Sequence, residues 1–279
     1  MAEAEEWPSG SRRARLLEQV VALVGVAHLE ILQVYSRAIE VQFKADQSPL
    51  TEADLASHRV LTAGLERLTP QLPVVSEEGA IADAAERATW PAYWLIDPLD
   101  GTKEFLARNG EFTVNVALIE GRRATLGVVG VPVRNQVFTG DVSSGLARRR
   151  DARGDHPLRA RPYSGSRPTV VASRRHGIER LEGALERIEA QHGTVELRSV
   201  GSALKLCLLA EGEADLYPRL APTSEWDTAA AQAVLEAAGG AVLQLDGTPV
   251  GYNKDDILNP EFVAVADPRT DWLRYFPAR

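Results

Sequence analysis

A layered α/β fold is what this 279-residue sequence predicts, and three patterns carry the prediction. Apolar residues near the start recur at helical spacing, residues 113–141 switch to a period of two, and from residue 169 short apolar runs alternate with helical stretches. Strands alternating with helices imply sheets whose faces are covered by helices. A hydrophobic fraction of 44% with 25% charged residues suffices for a core and excludes a disordered chain.

The first helix is read from Leu16, Val20, Leu23, Val24, Ala27, Ile31 and Tyr35. Glu18, Gln19, His28, Glu30 and Gln33 interrupt it, so it is expected to pack on a body rather than cross a bilayer. A polar segment, 44–51, leads to a second helix over 52–68 with Leu61, Leu65 and Leu68 on one face. Residues 72–76 read as a buried strand ended by Glu77-Glu78-Gly79, and 80–89 as an alanine-rich, charged connection. A strand over 93–97 is expected to be cut by Pro98. Residues 113–119, 125–133 and 136–141 read as antiparallel strands, with turns at Gly121 and Arg134-Asn135. Residues 146–167 are poor in apolar residues and rich in arginine, which predicts an exposed loop or boundary between an α+β half, 1–150, and an α/β half, 151–279. The second half reads as strand 169–172, helix 178–191, strand 195–199, helix 202–211, strand 215–217, helix 224–238, strands 241–245 and 262–266, and a terminal helix after Pro268.

Composition removes several function classes. Lys+Arg of 31 against Asp+Glu of 39 leaves a net charge of −8, which opposes general nucleic-acid binding through phosphate neutralisation. The single cysteine, Cys207, excludes an internal disulfide and a cysteine-rich zinc site, and its apolar helical context reads as core. Such cysteine usage fits a reducing cytoplasm. The start carries Glu3, Glu5 and Glu6 where a signal peptide is positive, so no targeting segment is expected.

Carboxylates gather where apolar strands end. Glu77 and Glu78 follow one strand, Asp97 and Asp100 follow another, and Asp227 lies in the first turn of a helix. Like charges at short range cannot all stay ionised, and hard divalent cations such as Mg²⁺ resolve that conflict. In Asp97-Pro98-Leu99-Asp100 the proline forces a turn that brings both acids to one side and aims the Leu99 carbonyl into the same space. Gly101-Thr102 then opens a helical turn whose free N–H groups suit a phosphate oxygen. Two metals about 3.5–4 Å apart can clamp the attacking and leaving oxygens of an in-line displacement, which outlines a phosphomonoesterase. Taken singly these residues also have plainer readings. Glu77-Glu78 fits an exposed turn, Asp97 and Asp100 fit ordinary turn residues, and Thr51-x-x-Asp54 and Ser224-x-x-Asp227 each fit a helix capping box.

In combination the segments Ser48-Pro49-Leu50-Thr51-Glu52-Ala53-Asp54, Val75-Ser76-Glu77-Glu78, Asp97-Pro98-Leu99-Asp100-Gly101-Thr102 and Trp226-Asp227-Thr228-Ala229-Ala230 resemble the inositol monophosphatase superfamily of Mg²⁺-dependent, lithium-sensitive phosphatases. Residues 100–105, 109–115, 201–205 and 214–219 are similar to its CysQ branch, the 3′(2′),5′-bisphosphate nucleotidases. The resemblance implies a layered αβαβα sandwich with the site between the two halves. It implies hydrolysis of adenosine 3′,5′-bisphosphate, a by-product of sulfate activation, to AMP and phosphate. Glu77, Asp97 and the Leu99 carbonyl would hold one Mg²⁺, and Asp97, Asp100 and Asp227 a second. A third ion near Glu77 would carry the attacking water, with Thr102 orienting and deprotonating it and Asp54 steering Thr102. Gly101, Thr102, His176, Ser202, Lys205, Arg219 and Asp227 would contact the substrate. The implied partner is a small nucleotide bisphosphate rather than nucleic acid. The implied setting is cytoplasmic, as monomer or homodimer without a transmembrane segment, with peripheral association at the inner membrane left open.

Two other readings stand beside this one. An inositol or sugar monophosphatase would share the metal core but would not need Lys205 and Arg219, which are surplus cations suited to a second phosphate. A polyanion-binding protein would use the seven arginines at 148, 149, 150, 153, 159, 161 and 167, although only Tyr163 there offers stacking.

Overall fold

The computed structural model describes residues 10–44, 48–172 and 178–276. Helix α1 (Ser11–Tyr35) buries Leu16, Val20, Val24, Ala27 and Ile31 of the predicted stripe, half-buries Leu23 and Tyr35, and adds Leu17. On length and apolar composition it could cross a membrane, the one such helix among the described residues. Its stripe is instead used within the protein. Strands β1 (Val41–Phe43) and β2 (Pro49–Thr51) pair antiparallel around the polar segment. Helix α2 (Glu52–Leu68) follows, then β3 (Val74–Ser76), a single turn α3 (Ala84–Arg87), β4 (Ala92–Asp100) and α4 (Thr102–Leu106). Strands β5 (Thr113–Glu120), β6 (Arg123–Val131), β7 (Gln136–Asp141), β8 (Leu146–Asp151) and β9 (Gly154–Pro157) complete a seven-stranded sheet. The order β3 to β9 is the chain order; β3 pairs parallel to β4, and the remaining pairs are antiparallel.

The rest of the chain builds a second sheet. Strand β10 (Thr169–Ala172), helix α5 (Ile178–His192), strand β11 (Glu196–Ser199), helix α6 (Leu204–Ala210), strand β12 (Leu216–Arg219), helix α7 (Glu225–Ala237) and strands β13 (Ala241–Gln244) and β14 (Phe262–Val265) follow in turn. The five strands lie in the order β11-β10-β12-β14-β13, with parallel pairing only at β11-β10 and β10-β12.

Three hydrophobic cores stack these elements into layers. On one face of the larger sheet, Trp94, Ile96, Val116 and Val128 pack against α1 and α2. Their strand neighbours Tyr93, Leu95, Ala117 and Val129 point the other way, to a core shared with α6, α7 and the inner face of the smaller sheet. The outer face of that sheet, Val170, Leu216 and Val263, is covered by α5 and by Trp272 and Tyr275. The order is helix, sheet, helix, sheet, helix. Helix α7 sits so close to the larger sheet that a Cβ on Gly127 would lie 2.0 Å from the Ala230 carbonyl oxygen, and one on Gly140 2.5 Å from the Val234 Cα. Both positions have room only for glycine.

Three sequence expectations are corrected. The arginine-rich stretch is no loop at its start: β8 and β9 form a hairpin that extends the larger sheet to Pro157, and position 150/151 falls inside β8. Its arginines are matched by acids, Arg148 and Arg150 with Glu18 of α1 and Asp155, and Arg149 with Asp151 and Glu211. Alternate paired charges let a poorly apolar segment lie at the edge of a sheet. Second, Pro98 does not end its strand, because a bulge between Asp97 and Asp100 absorbs it. Third, Pro268 is followed among the described residues by a single 3₁₀ turn, Leu273–Tyr275, rather than a helix. Burial of Trp272, Tyr275 and Phe276 holds that turn in place.

Candidate active site

The end of β4 creates the site's main irregularity. Asp97 pairs with Asn115 of β5 and Asp100 with Thr113, so three steps on β4 face two on β5. Residues three apart on a regular strand point to opposite faces; one extra residue returns both carboxylates to the same side. Local bonds hold this shape. Asp97 Oδ1 accepts the Leu99 N–H at 3.0 Å, and the buried Ser57 hydroxyl of α2 donates to the Pro98 carbonyl at 2.7 Å. Gly101 then adopts φ of +91°, which favours glycine, and begins α4 at Thr102.

Two helix starts bring further acids to this point. At the start of α2, Asp54 Oδ2 accepts the Thr51 N–H at 2.8 Å and the Thr51 hydroxyl at 2.5 Å. Its other oxygen accepts the Thr102 hydroxyl at 3.3 Å. Asp54 therefore caps a helix and touches Thr102 at once. At the start of α7, Asp227 Oδ2 accepts the Ser224 N–H at 2.8 Å. Glu77 follows β3, and its N–H donates to the Ile96 carbonyl at 3.2 Å, which ties the acidic turn to β4. Lys44 donates to Glu77 at 2.8 Å and to Glu78 at 2.6 Å.

The carboxylates converge. Oxygens of Glu77, Asp97 and Asp227 lie within 4.8 Å of one another. Burial, then the charges of Glu77, Asp100, Asp227 and Asp54, push the Asp97 carboxyl well above its usual range. Burial and the charge of Asp100 raise Asp227 to about 8. Asp100 is raised chiefly by burial, against the opposing pull of Lys205, and Asp54 is raised by burial. Carboxylates that resist ionisation when left to themselves form a hard-oxygen set suited to Mg²⁺ rather than to a soft metal. The residues present fit such an ion.

Asp100 stands apart from the other three. Its Oδ2 accepts from Thr113 and Asn115, each at 3.3 Å, and from the Ala203 N–H at 2.6 Å. One oxygen thus fixes β5 and the start of α6 around the site. Leu99 is buried within the bulge. Beyond the cluster, Gly101, Ser202, Lys205, Arg219 and Asp227, five of the expected substrate contacts, line one pocket with Asp100, and Thr102 is not among its lining residues. Lys205 is buried, donates to the Ser202 carbonyl at 2.6 Å, and lies 5.5 Å from the centre of the Tyr217 ring. Burial lowers its pKa to about 8, although the Asp100 charge resists. Arg219 donates to the carbonyls of Ala221 at 3.0 Å and Pro222 at 2.9 Å, which sets its guanidinium at the rim. His176 lies outside the described residues.

Sequence reasoning missed Ser57, Thr113, Asn115, Lys44 and Glu104. Lys44, Ser57, Thr113 and Asn115 reach the site through contacts 13 to 41 residues away in the chain, and Glu104, Thr113 and Asn115 were visible only as members of the 100–105 and 109–115 motifs.

Residues 13–271 match the model of the inositol monophosphatase family. The chain is 45% identical over 251 residues to the 3′(2′),5′-bisphosphate nucleotidase CysQ of Escherichia coli K12, covering 88% of this chain and 98% of that protein. Its fold is similar to the crystal structure of CysQ from Bacteroides thetaiotaomicron, with a TM-score of 0.80, 38% identity, and coverage of 91% and 98% of the two chains. The suhB protein of Bartonella henselae shares the fold at a TM-score of 0.77 and 22% identity, covering 94% and 98%.

Proposed function

This chain belongs to the inositol monophosphatase family, and from that premise we propose that it is a 3′(2′),5′-bisphosphate nucleotidase that hydrolyses adenosine 3′,5′-bisphosphate to AMP and phosphate. One observation carries the choice of substrate: the pocket that begins at Asp100 and Asp227 continues to Lys205 and Arg219. Two cations placed away from the acidic cluster suit a second, non-reacting phosphate. An inositol or sugar monophosphate offers them no second phosphate.

Glu77, Asp97 and Asp227 would hold Mg²⁺, with Asp100 and the Leu99 carbonyl completing two to three ion positions. When bound, Mg²⁺ supplies Lewis-acid stabilisation of the phosphoryl oxygens and lowers the pKa of water. The chain's own groups do the rest. Thr102 donates its hydroxyl proton toward Asp54 Oδ1, which leaves an oxygen lone pair to accept a hydrogen from the attacking water. Asp54, made more basic by burial, is the proton's next stop. The free N–H groups after Gly101 meet the scissile phosphate, and Ser202, Lys205 and Arg219 hold the other phosphate and the ribose. Water adds to phosphorus as the P–O ester bond breaks, the ribose oxygen leaves and takes a proton from solvent to become the hydroxyl, and inorganic phosphate is released. The parts of the chain built on the larger and the smaller sheet act as one catalytic unit, because Asp227 follows the larger sheet in the chain while Glu77, Asp97 and Asp100 belong to that sheet or its loops.

The test is phosphate release with Mg²⁺ across adenosine 3′,5′-bisphosphate, its 5′-phosphosulfate relative and a series of inositol phosphates. Preference for a nucleotide bisphosphate is expected. Equal or better hydrolysis of inositol 1-phosphate would overturn the reading.

A further inference from the structure

The same pocket contains a carboxylate that belongs to neither the metal cluster nor the phosphate-binding cations, although its charge acts on Lys205. Glu104, on the single turn of α4, is half-buried and lines the pocket beside Lys205 and Arg219. Two glycines make room for it. A Cβ on Gly201 would lie 2.7 Å from the Glu104 Cγ, and one on Gly101 3.3 Å from its Oε2. Gly201 is itself anchored, donating its N–H to Glu111 Oε2 at 2.9 Å. Among the described residues no hydrogen bond or ion pair engages its carboxylate.

A carboxylate only accepts hydrogen bonds, and so does a phosphate, so Glu104 is matched to a donor on the substrate and not to either phosphate group. We propose that Glu104 is a specificity residue that accepts a hydrogen bond from the sugar hydroxyl adjacent to the scissile phosphate ester, the ribose 2′-hydroxyl of a 3′-phosphate. The inference rests on the nucleotidase reading above. A nucleotide bisphosphate has two kinds of donor to offer, a free ribose hydroxyl and the amino group of the base. Position favours the hydroxyl. The carboxylate lies against Gly101, the residue directly after Asp100, and so at the end of the pocket where the ester is cleaved. In a 2′-phosphate the 3′-hydroxyl takes the same neighbouring place, so one acceptor serves both isomers. A phosphate ester without a vicinal donor would meet an unpaired negative charge there.

The test compares kcat/KM for adenosine 3′,5′-bisphosphate, its 2′-deoxy analogue and inosine 3′,5′-bisphosphate in wild type, Glu104→Ala and Glu104→Gln. Loss of a hydrogen bond to a charged group is expected to disfavour the deoxy substrate by about 10- to 150-fold in wild type. In Glu104→Ala the ribose-to-deoxyribose ratio falls to about one, and Glu104→Gln, which keeps an acceptor of the same size, retains part of it. The adenosine-to-inosine ratio is the same in all three proteins. An undiminished ribose preference in both variants overturns the proposal, as does a collapse confined to the inosine ratio, which would assign Glu104 to the base. If wild type hydrolyses none of the three nucleotides but does cleave inositol phosphates, the nucleotidase reading fails and this inference with it.

Discussion

Lys205 provides a pH-dependent signature of the second phosphate site. Its ammonium is buried, and burial lowers its pKa to about 8. A lysine with a depressed pKa is charged below that value and neutral above it. About nine-tenths of the free enzyme thus carries the charge at pH 7 and about one-tenth at pH 9, a tenfold change across two pH units. Because kcat/KM reports groups of the free enzyme, the fall appears in that constant for any substrate that needs the ammonium. Other titrations in the site, including those of the metal-facing carboxylates, act on every substrate alike. The quantity to measure is therefore the ratio of kcat/KM for adenosine 3′,5′-bisphosphate to that for a small monophosphate, from pH 7 to 9 at saturating Mg²⁺. Wild type should lose up to about tenfold in this ratio, and Lys205→Met should start low and stay flat. A wild-type ratio that does not change with pH, or a Lys205→Met ratio that still falls, would refute the assignment of Lys205 to the non-reacting phosphate.

Four further outcomes are expected. Asp97→Asn should lower turnover by roughly a hundredfold to a thousandfold or more, and differential scanning fluorimetry should find that Mg²⁺ no longer raises its Tm. Mg²⁺ binding should tighten between pH 6 and 9 and release protons, because Asp227, at about 8, and Asp97 must ionise to become ligands; isothermal titration in buffers of different ionisation enthalpy measures this. Arg219→Ala should cost the bisphosphate about 10- to 150-fold in kcat/KM while a monophosphate keeps its rate, as steady-state kinetics with both substrates will show. Gly127→Ala should destabilise the fold by about 3 kcal/mol or more in urea unfolding, since its methyl group would meet the Ala230 carbonyl of α7 at 2.0 Å.

What the sequence disclosed depended on how local each cause was. The α1 stripe, the α2 limits and the alternation of strands and helices after residue 169 are short-range patterns, and the structure repeats them. The Asp97–Asp100 pair was legible because proline interrupts a strand within four residues. The bulge that accommodates that proline was not, since it is defined by register against Asn115 and Thr113 and held by Ser57, over 40 residues upstream of Pro98. The β8–β9 hairpin was hidden for the same reason. Its arginines look like a solvated loop until Glu18, 130 residues from Arg148, supplies the partner. The need for glycine at Gly127 is likewise invisible in a sequence, because the Ala230 carbonyl that a side chain would meet belongs to α7.

Helix capping and participation in the site looked like competing readings of Asp54 and Asp227; in the structure the first makes the second possible. Each acid binds the N–H of the residue three places before it, which fixes its carboxylate at the start of a helix, and the helix dipole there favours negative charge. Helices α2 and α7 both begin at the acidic cluster, one from the outer layer and one from the layer between the sheets. Two positive helix ends offset part of the repulsion among Glu77, Asp97, Asp100 and Asp227. Burial, together with the repulsion that remains, keeps Asp97 and Asp227 hard to ionise until a cation arrives. The layer order thus has a chemical consequence. With α7 pressed onto the larger sheet at Gly127 and Gly140, Asp227 cannot drift from the bulge that carries Asp97, and the carboxylates of Glu77, Asp97 and Asp227 stay assembled beside a pocket lined from both sheets and from α4, α6 and α7.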